Sequence, residues 1–269
     1  MAGSPACSER RAAGRLLLLL ALSAAAWPAL AGPPFVTDDP EPVDYQHVEI
    51  NLAAQGTQVK SGWGGNLPAI DINYGLLPET QFHVGLFGPF QALDGKSLQI
   101  GYGDTELGLK VRFLDEDEEG WRPQLALYPN VELPSGDARL GLGAGHAKLF
   151  LPLWAQKSIG DWQTYGGGGY WLNRHGDDRD YWFFGWTLLR KVSDRWLLGG
   201  EIFHQTADLA HSPAQGGNGL SSRDSSGFNL GGYYSLAEDR RLMFTFGRGL
   251  QNIPATNRFS YYLGHQLTF

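Results

Sequence analysis

Polar and apolar residues alternate along most of the chain beyond residue 44. In the segment DTELGLKVRF, an apolar set runs from Leu107 to Phe113, and a charged set holds Glu106, Lys110 and Arg112. A period of two places each set on one face of an extended strand. Segments with this period recur and predict twelve strands, at approximately 45–56, 66–76, 79–88, 102–115, 120–132, 145–157, 161–172, 181–192, 195–206, 225–236, 240–249 and 258–269.

The links between the predicted strands alternate in length. Even-numbered links are mostly tight, as in LLPE, DEDEEG, SIGD, SDR and LAEDR. Odd-numbered links are longer or richer in Gly and Pro, and they lie at 57–65, 89–101, 133–144, 173–180, 207–224 and 250–257. Tight turns on one side, long loops on the other and strands of about 9 residues or more are typical of bacterial outer-membrane barrels. The predicted fold class is all-β, a transmembrane antiparallel β-barrel of twelve strands with short periplasmic turns and longer extracellular loops.

A soluble β-sandwich or a lipocalin-like barrel also alternates, but with its apolar set facing inward. The many charges on the polar faces suit a watery lumen better. Aromatic residues near strand ends fit the girdles of a membrane barrel. These residues are Trp63, Trp121, Tyr181, Trp182, Trp196, Phe259 and Phe269.

The first 31 residues resemble an export signal. Arg10, Arg11 and Arg15 precede the apolar run LLLLLALSAAAW, and small residues at 29 and 31 fit cleavage before Gly32. The apolar run is shorter than the roughly 20 residues of a membrane-spanning helix. The predicted organisation is a cleaved signal (1–31), a Pro- and Asp-rich N-terminal segment (32–44) and a barrel (45–269).

Charge and cysteine content narrow the function classes. Loss of the signal changes the formal net charge from −7 to −9, so the basic footprint of a nucleic-acid binder is absent. The single cysteine, Cys7, lies in the signal, which excludes a disulfide framework or a thiolate metal site in the remainder. The seven histidines lack metal-ligand spacing, and we predict no metal site and no cofactor.

An outer-membrane lipid hydrolase is the rival enzyme class. Such an enzyme needs a serine and a histidine on the same strand face, two residues apart or on neighbouring strands. No His-x-Ser occurs, and His211 and Ser212 are adjacent in a predicted loop. His204 and Thr206 share a face, but threonine is an uncommon nucleophile. The sequence therefore predicts no catalytic residues.

Several motifs together resemble a known bacterial family. PPFVTDDPEPVDYQHVE, GYGDTELGLKVRF, VELPSGD, AKLFLPLWAQKSIGDWQTYGGGGYW, FHQT, FNLGGYY and FSYYLGHQLTF are similar to the outer-membrane transporter family labelled MetA-pathway of phenol degradation. The resemblance covers nearly all of residues 32–269. It implies a porin-like barrel that passes small molecules, hydrophobic or aromatic ones among them. Fold analogy does not fix the solute.

Charged residues on the polar faces are the candidate lumen residues: Glu49, Asp71, Glu106, Lys110, Arg112, Arg122, Glu132 and Glu201. They could narrow a pore and select what passes, or they could satisfy one another and plug the barrel. The N-terminal segment is periplasmic by topology and too polar for lipid. It could enter the lumen as a partial plug, with Asp38 and Asp39 meeting lumen cations.

The C-terminal strand is expected to pair with the first strand and close the barrel. Its alternate residues Tyr261, Leu263, Leu267 and Phe269 resemble the signal read by the outer-membrane assembly machinery. His265 falls on the same, lipid-facing side.

The sequence thus predicts a passive channel for small molecules in the bacterial outer membrane, with both termini periplasmic. Expected partners are outer-membrane lipid and lipopolysaccharide, the assembly machinery and a small-molecule solute, but not nucleic acid. The alternatives are a structural or adhesive barrel and a lipid hydrolase.

Overall fold

The structure is a computed structural model, and it describes residues 33–117, 120–208 and 222–269. The predicted signal at 1–31 lies outside the described residues. Among the described residues, no helix is both long enough and apolar enough to cross a membrane. One 3₁₀ turn, Ala138–Leu140, and one short helix, α1 (Ile253–Thr256), are the helical elements of this part of the chain.

The described residues form fourteen strand segments in one antiparallel sheet. The segment β4 adds two residues to the edge of β3, and β6 and β7 are two parts of one strand, so the barrel has twelve strands. The segments are β1 (Val48–Val59), β2 (Gly62–Leu77), β3 (Thr80–Leu93), β4 (Gln99–Ile100), β5 (Thr105–Leu114), β6 (Gln124–Leu127), β7 (Asn130–Leu133), β8 (Lys148–Ile159), β9 (Trp162–Leu172), β10 (Tyr181–Lys191), β11 (Trp196–Gln205), β12 (Ser225–Ala237), β13 (Arg240–Gly249) and β14 (Phe259–Thr268).

The sheet closes on itself, since each strand pairs with its chain neighbours and β1 pairs with β14. The closing register runs from Glu49 opposite Thr268 to Gln58 opposite Phe259. Closure leaves no strand edge unpaired, which is the condition for strands to cross a membrane. The predicted twelve-stranded antiparallel barrel and its closing strand are confirmed.

The two faces of the barrel have the polarity of a membrane barrel. On β10, the outward residues Trp182, Phe184 and Trp186 are 47%, 47% and 52% exposed. Polar side chains are buried inside the barrel, including Asn51, Asn73, Gln81, Gln124, Asn130, Gln156, Asn229 and Gln266. The barrel therefore has apolar residues on its outer face and polar residues inside. This distribution is the reverse of that in a soluble sandwich or a lipocalin-like barrel.

Two links differ in length from the expectation. The first link is only residues 60–61, not the predicted loop 57–65, because β1 and β2 continue to pair as far as Val59 opposite Gly62. The link between β5 and β6 spans 115–123 and is longer than the expected tight turn. Proline has no backbone N–H for the ladder, and the strand is interrupted at Tyr128 and Pro129, between β6 and β7.

The glycine run in β9 makes room for aromatic rings on both faces. A Cβ at Gly166 or Gly168 would lie 2.7 Å from the Trp186 ring or 2.5 Å from the Phe184 ring, outside the barrel. On the inner face, Gly167 has φ +153° and lies beside the Trp154 ring. Larger residues at these glycine positions would displace the neighbouring aromatic rings.

Candidate functional site

The N-terminal segment lies inside the barrel and crosses the lumen. At one end, Thr245 on β13 donates a hydrogen bond to the Pro34 carbonyl at 3.0 Å. The N–H groups of Val36 and Thr37 donate to the two carboxylate oxygens of Glu201 on β11, at 2.9 and 2.8 Å. The segment is therefore fixed to this wall through a buried carboxylate.

The other end of the segment is held on the opposite wall. The N–H of Val43 donates to Gln81 on β3 at 2.9 Å, and Gln124 on β6 donates to the Glu41 carboxylate at 2.5 Å. In a closed barrel of twelve strands, β3, β5 and β6 stand opposite β11 and β13. The segment thus spans the width of the lumen.

The centre of this crossing is an ion-pair cluster. Lys110 on β5 is 1% exposed, and its Nζ lies 3.0 Å from Asp38 and 3.6 Å from Asp39. Arg112, two residues further along β5, pairs with Glu41 at 2.7 Å and also contacts Glu79. Buried charges require such partners, and the N-terminal segment supplies both carboxylates that pair with Lys110 and one of those that pair with Arg112.

Four other predicted lumen residues face neighbouring side chains of the barrel wall. Glu49 accepts hydrogen bonds from Asn51 and Asn73, each at 3.2 Å. Glu132 forms an ion pair with Lys148. Asp71 and Glu106 both face His83 Nε2, at 3.9 and 3.8 Å.

Arg122 does not join these lumen residues. It lies in the link before β6, is exposed, and donates from Nε to the Asp115 carbonyl at 3.0 Å. The alternation points it to the inner face, but β6 begins only at Gln124. Arg122 therefore lies beyond the end of the strand and belongs to the turn.

An aromatic cluster on the inner wall was not expected from the sequence. Its rings lie on four neighbouring strands, and Phe150 stacks on Trp171 with ring centroids 4.6 Å apart and planes 9° apart. The centroid of the Trp154 ring is 6.4 Å from those of both Phe150 and Phe183. We refer to Tyr128, Phe150, Trp154, Trp171 and Phe183 as the aromatic cluster.

Two cavities lie against the N-terminal segment. The larger, about 1000 Å³, has Pro33–Val36 on one side and the loop 134–147 on another. Leu142 of that loop is buried, and Gln91 donates to the Gly141 carbonyl at 2.7 Å, which holds the loop over the cavity. The smaller, about 220 Å³, lies between the aromatic cluster and the polar residues of β2, β3 and β5.

The described residues contain no group of three His, Cys, Asp or Glu side chains placed to hold a metal ion. The described lumen residues provide ion pairs, hydrogen-bonding amides and aromatic rings.

Solved structures with a similar fold include an outer membrane channel and two porins. A crystal structure of an outer membrane channel from Pseudomonas putida F1 is 13% identical, covers 89% of this chain and 100% of its own, and superposes with a TM-score of 0.68. The NanC porin is 6% identical over 81% of this chain and 98% of its own, with a TM-score of 0.58. The KdgM porin, solved in complex with disordered oligogalacturonate, is 8% identical over 83% of this chain and 99% of its own, with a TM-score of 0.52. These likenesses establish the fold.

No curated protein sequence matches the chain at a significant level. A family model described as "Putative MetA-pathway of phenol degradation" matches residues 40–268. This match covers the end of the N-terminal segment and every strand of the barrel. The protein therefore belongs to that family.

Proposed function

We propose that this protein is an outer-membrane channel for the passive passage of small molecules, aromatic ones among them. The main support for this proposal is the space inside the barrel, where cavities of about 1000 and 220 Å³ lie beside the N-terminal segment. Side chains alone fill the interior of a barrel of about eight strands, and the diameter grows with strand number, so twelve strands leave space for a passage. The aromatic cluster beside polar groups offers a ring both a face to stack on and hydrogen-bonding partners.

The charged network holds the N-terminal segment across this lumen. Lys110 and Arg112 both find their partners in the segment, as do Glu201 and Gln124. The network therefore narrows the pore through the segment rather than by side chains alone. A solute has to pass beside the segment, which favours small and flat molecules.

The location of the protein follows from the same features. An apolar outer face and a polar interior favour a lipid bilayer crossed by strands. We place the barrel in the bacterial outer membrane, in contact with lipid and lipopolysaccharide. Strand β1 begins where β14 ends, and we assign this end, with the C-terminus, to the periplasm. The N-terminal segment enters the lumen from this end and reaches Thr245 and Glu201 on the wall, so its first described residues lie inside the barrel and not in the periplasm as the sequence predicts.

One contact bears on the lipid hydrolase alternative. His204 on β11 is opposite Ser226 on β12, and His204 Nδ1 lies 2.8 Å from Ser226 Oγ. The Ser226 hydroxyl donates to the Gln251 side-chain carbonyl at 3.1 Å, so the His204 ring donates to Ser226. A catalytic histidine must instead accept the serine proton. This polarity favours a structural pair, and the channel remains the proposed function.

Liposome swelling with the purified full-length chain tests the proposal. The panel pairs small aromatic solutes with sugars of increasing size, and protein-free liposomes are the control. We expect the aromatic solutes and the smallest sugars to enter and larger sugars to be excluded. Liposomes that remain tight to every solute would favour a structural or adhesive barrel.

A further inference from the structure

The smaller cavity joins two walls of opposite character. One wall is formed by Tyr128, Phe150, Trp154 and Trp171 of the aromatic cluster, and the other holds Asp71, His83 and Glu106. An engineered apolar cavity of roughly 150 Å³ is large enough to bind benzene. A cavity of about 220 Å³ therefore has room for one aromatic ring and a short substituent.

Hydrogen bonds fix the proton on the His83 ring. Asn73 donates its amide N–H to the Glu49 carboxylate at 3.2 Å, so its carbonyl oxygen faces His83. That oxygen lies 2.8 Å from His83 Nδ1, which must therefore carry the hydrogen that is donated. In the neutral ring, Nε2 is then a hydrogen-bond acceptor.

Three acceptors converge at this polar wall. Nε2 of His83 lies 3.9 Å from an oxygen of Asp71 and 3.8 Å from an oxygen of Glu106. Among the described residues, no donor makes a hydrogen bond to the side chain of Asp71 or Glu106. A group with several donors placed between them would satisfy all three.

The charges around the cavity favour a cation there. Lys110 also lines the cavity, but its charge is matched by Asp38 at 3.0 Å. Asp71 and Glu106 have no described Lys or Arg within ion-pair distance. The aromatic wall accepts cations as well, because Lys110 Nζ sits 4.9 Å from the centroid of the Tyr128 ring.

We propose that this cavity is a binding site for a monocyclic aromatic amine in its protonated form. The ring lies against Phe150 and Trp171, and the ammonium group donates hydrogen bonds to Asp71, Glu106 and His83. An aromatic carboxylate of the same size is rejected, because its charge would face two carboxylates. The site gives the proposed channel, on which this inference rests, a preference among small aromatic solutes.

Binding is tested by calorimetric titration of the full-length protein in detergent micelles. The probes are 2-phenylethylamine, the neutral 2-phenylethanol and the anionic 3-phenylpropanoate, which share a ring and a two-carbon arm. We expect the amine to bind at least about tenfold more tightly than the alcohol, because hydrogen bonds to charged groups are stronger than those between neutral groups. The acid should show no binding. An alcohol or acid that binds as tightly as the amine, or an amine that does not bind, overturns the proposal.

Variants locate the binding site within the lumen. Asp71→Asn and Glu106→Gln should each weaken binding of the amine by about tenfold and leave the affinity for the alcohol unchanged. Asp177→Asn is the matched control, since Asp177 lines the larger cavity and not the smaller. Amine affinity that survives both cavity variants, or that falls equally in the control, overturns the assignment.

A second pair of variants tests the aromatic wall. Phe150→Leu should weaken binding of the amine and of the alcohol to the same extent, because both place a ring against Phe150. Phe184→Leu is the control, since Phe184 lies on the outer face of β10, and it should change neither affinity. Equal effects of the two changes contradict the proposed ring position. These titrations involve no transport, so tight liposomes with intact amine binding would refute the channel alone. Solute entry through a protein that does not bind the amine in the titration would refute only the binding site.

Discussion

Lys110 shows how one residue links the barrel wall to the N-terminal segment. Its place on the polar face of β5 is predictable, because a period of two fixes which residues share a face. Its partners are not predictable in the same way. Asp38 and Asp39 are about seventy residues away in the chain, and only the path of the segment through the closed barrel brings them to within 3.0 and 3.6 Å of Lys110 Nζ.

Replacement of Lys110 by Met should destabilise the protein strongly. The change leaves Asp38 and Asp39 without their cation in a buried site, where loss of one ion-pair partner costs about 3 kcal/mol or more. We expect a loss of this size in the free energy of unfolding, measured by urea titration in detergent micelles. Lys191→Met is the control, because its partner Asp194 is exposed and surface pairs contribute about 1 kcal/mol or less.

The triple variant Lys110→Met, Asp38→Asn, Asp39→Asn separates the ion pair from simple packing. Removal of all three charges should recover most of the stability that Lys110→Met loses. If the triple variant is as unstable as Lys110→Met, the ion pairs of Lys110 do not explain the loss of stability. An equal loss in Lys191→Met would contradict the special role of the buried charges.

Other residues of the site could not be found by alternation alone. In YWFFGWTLLR both sets of alternate residues are largely apolar, so the pattern does not say that Phe183 faces inward while Phe184 faces outward. The aromatic cluster was missed for this reason. The contact between His204 and Ser226 depends on the register of β11 and β12, which spacing within one strand does not contain.

The C-terminal strand closes the barrel. Phe269 and Val48 exchange two backbone hydrogen bonds, of 2.9 and 3.1 Å. The Phe269 side chain itself is 66% exposed. Its ring therefore adds little internal packing, although the sequence pattern marks it as part of an assembly signal.

Phe269→Ala should reduce assembly without changing the channel. The backbone pairing with Val48 does not need the ring, so the molecules that do assemble should conduct normally. We expect a severalfold lower amount of folded barrel in outer-membrane fractions, measured by the heat-dependent shift in gel mobility. Phe246→Ala, at an exposed position of β13 outside the C-terminal strand, is the control. Equal amounts of folded protein in the two variants would argue against a terminal assembly signal.

The links were harder to predict than the strands they join. Strand positions follow from alternation, which continues wherever side chains meet lipid on one face and the lumen on the other. Gly62, Gly64 and Gly65 broke the visible pattern, yet they pair with β1 in regular register. A predicted loop at 57–65 was therefore wrong, and the turn is only residues 60–61.

At the scale of the whole molecule, the barrel combines an apolar outer face with an acidic, partly occupied lumen. Asp38, Asp39 and Glu41 of the N-terminal segment form ion pairs with Lys110 and Arg112 on the wall. Asp71 and Glu106 remain open to the smaller cavity. The segment crosses the lumen, and we propose that solutes pass through the cavities beside it.

Deletion of residues 33–44 tests whether the barrel is a channel that the N-terminal segment narrows. Single-channel conductance and the entry of a small aromatic solute are compared for the intact protein and the deletion variant in lipid bilayers. Arg240→Ala, at the start of β13, serves as the control, because Arg240 lines neither cavity and its ion-pair partner is the exposed Asp239. We expect measurable entry of the solute through the intact barrel. After the deletion we expect severalfold higher conductance and the loss of size selection. Conductance that is the same in both proteins, or absent from both, would contradict a channel that the segment narrows.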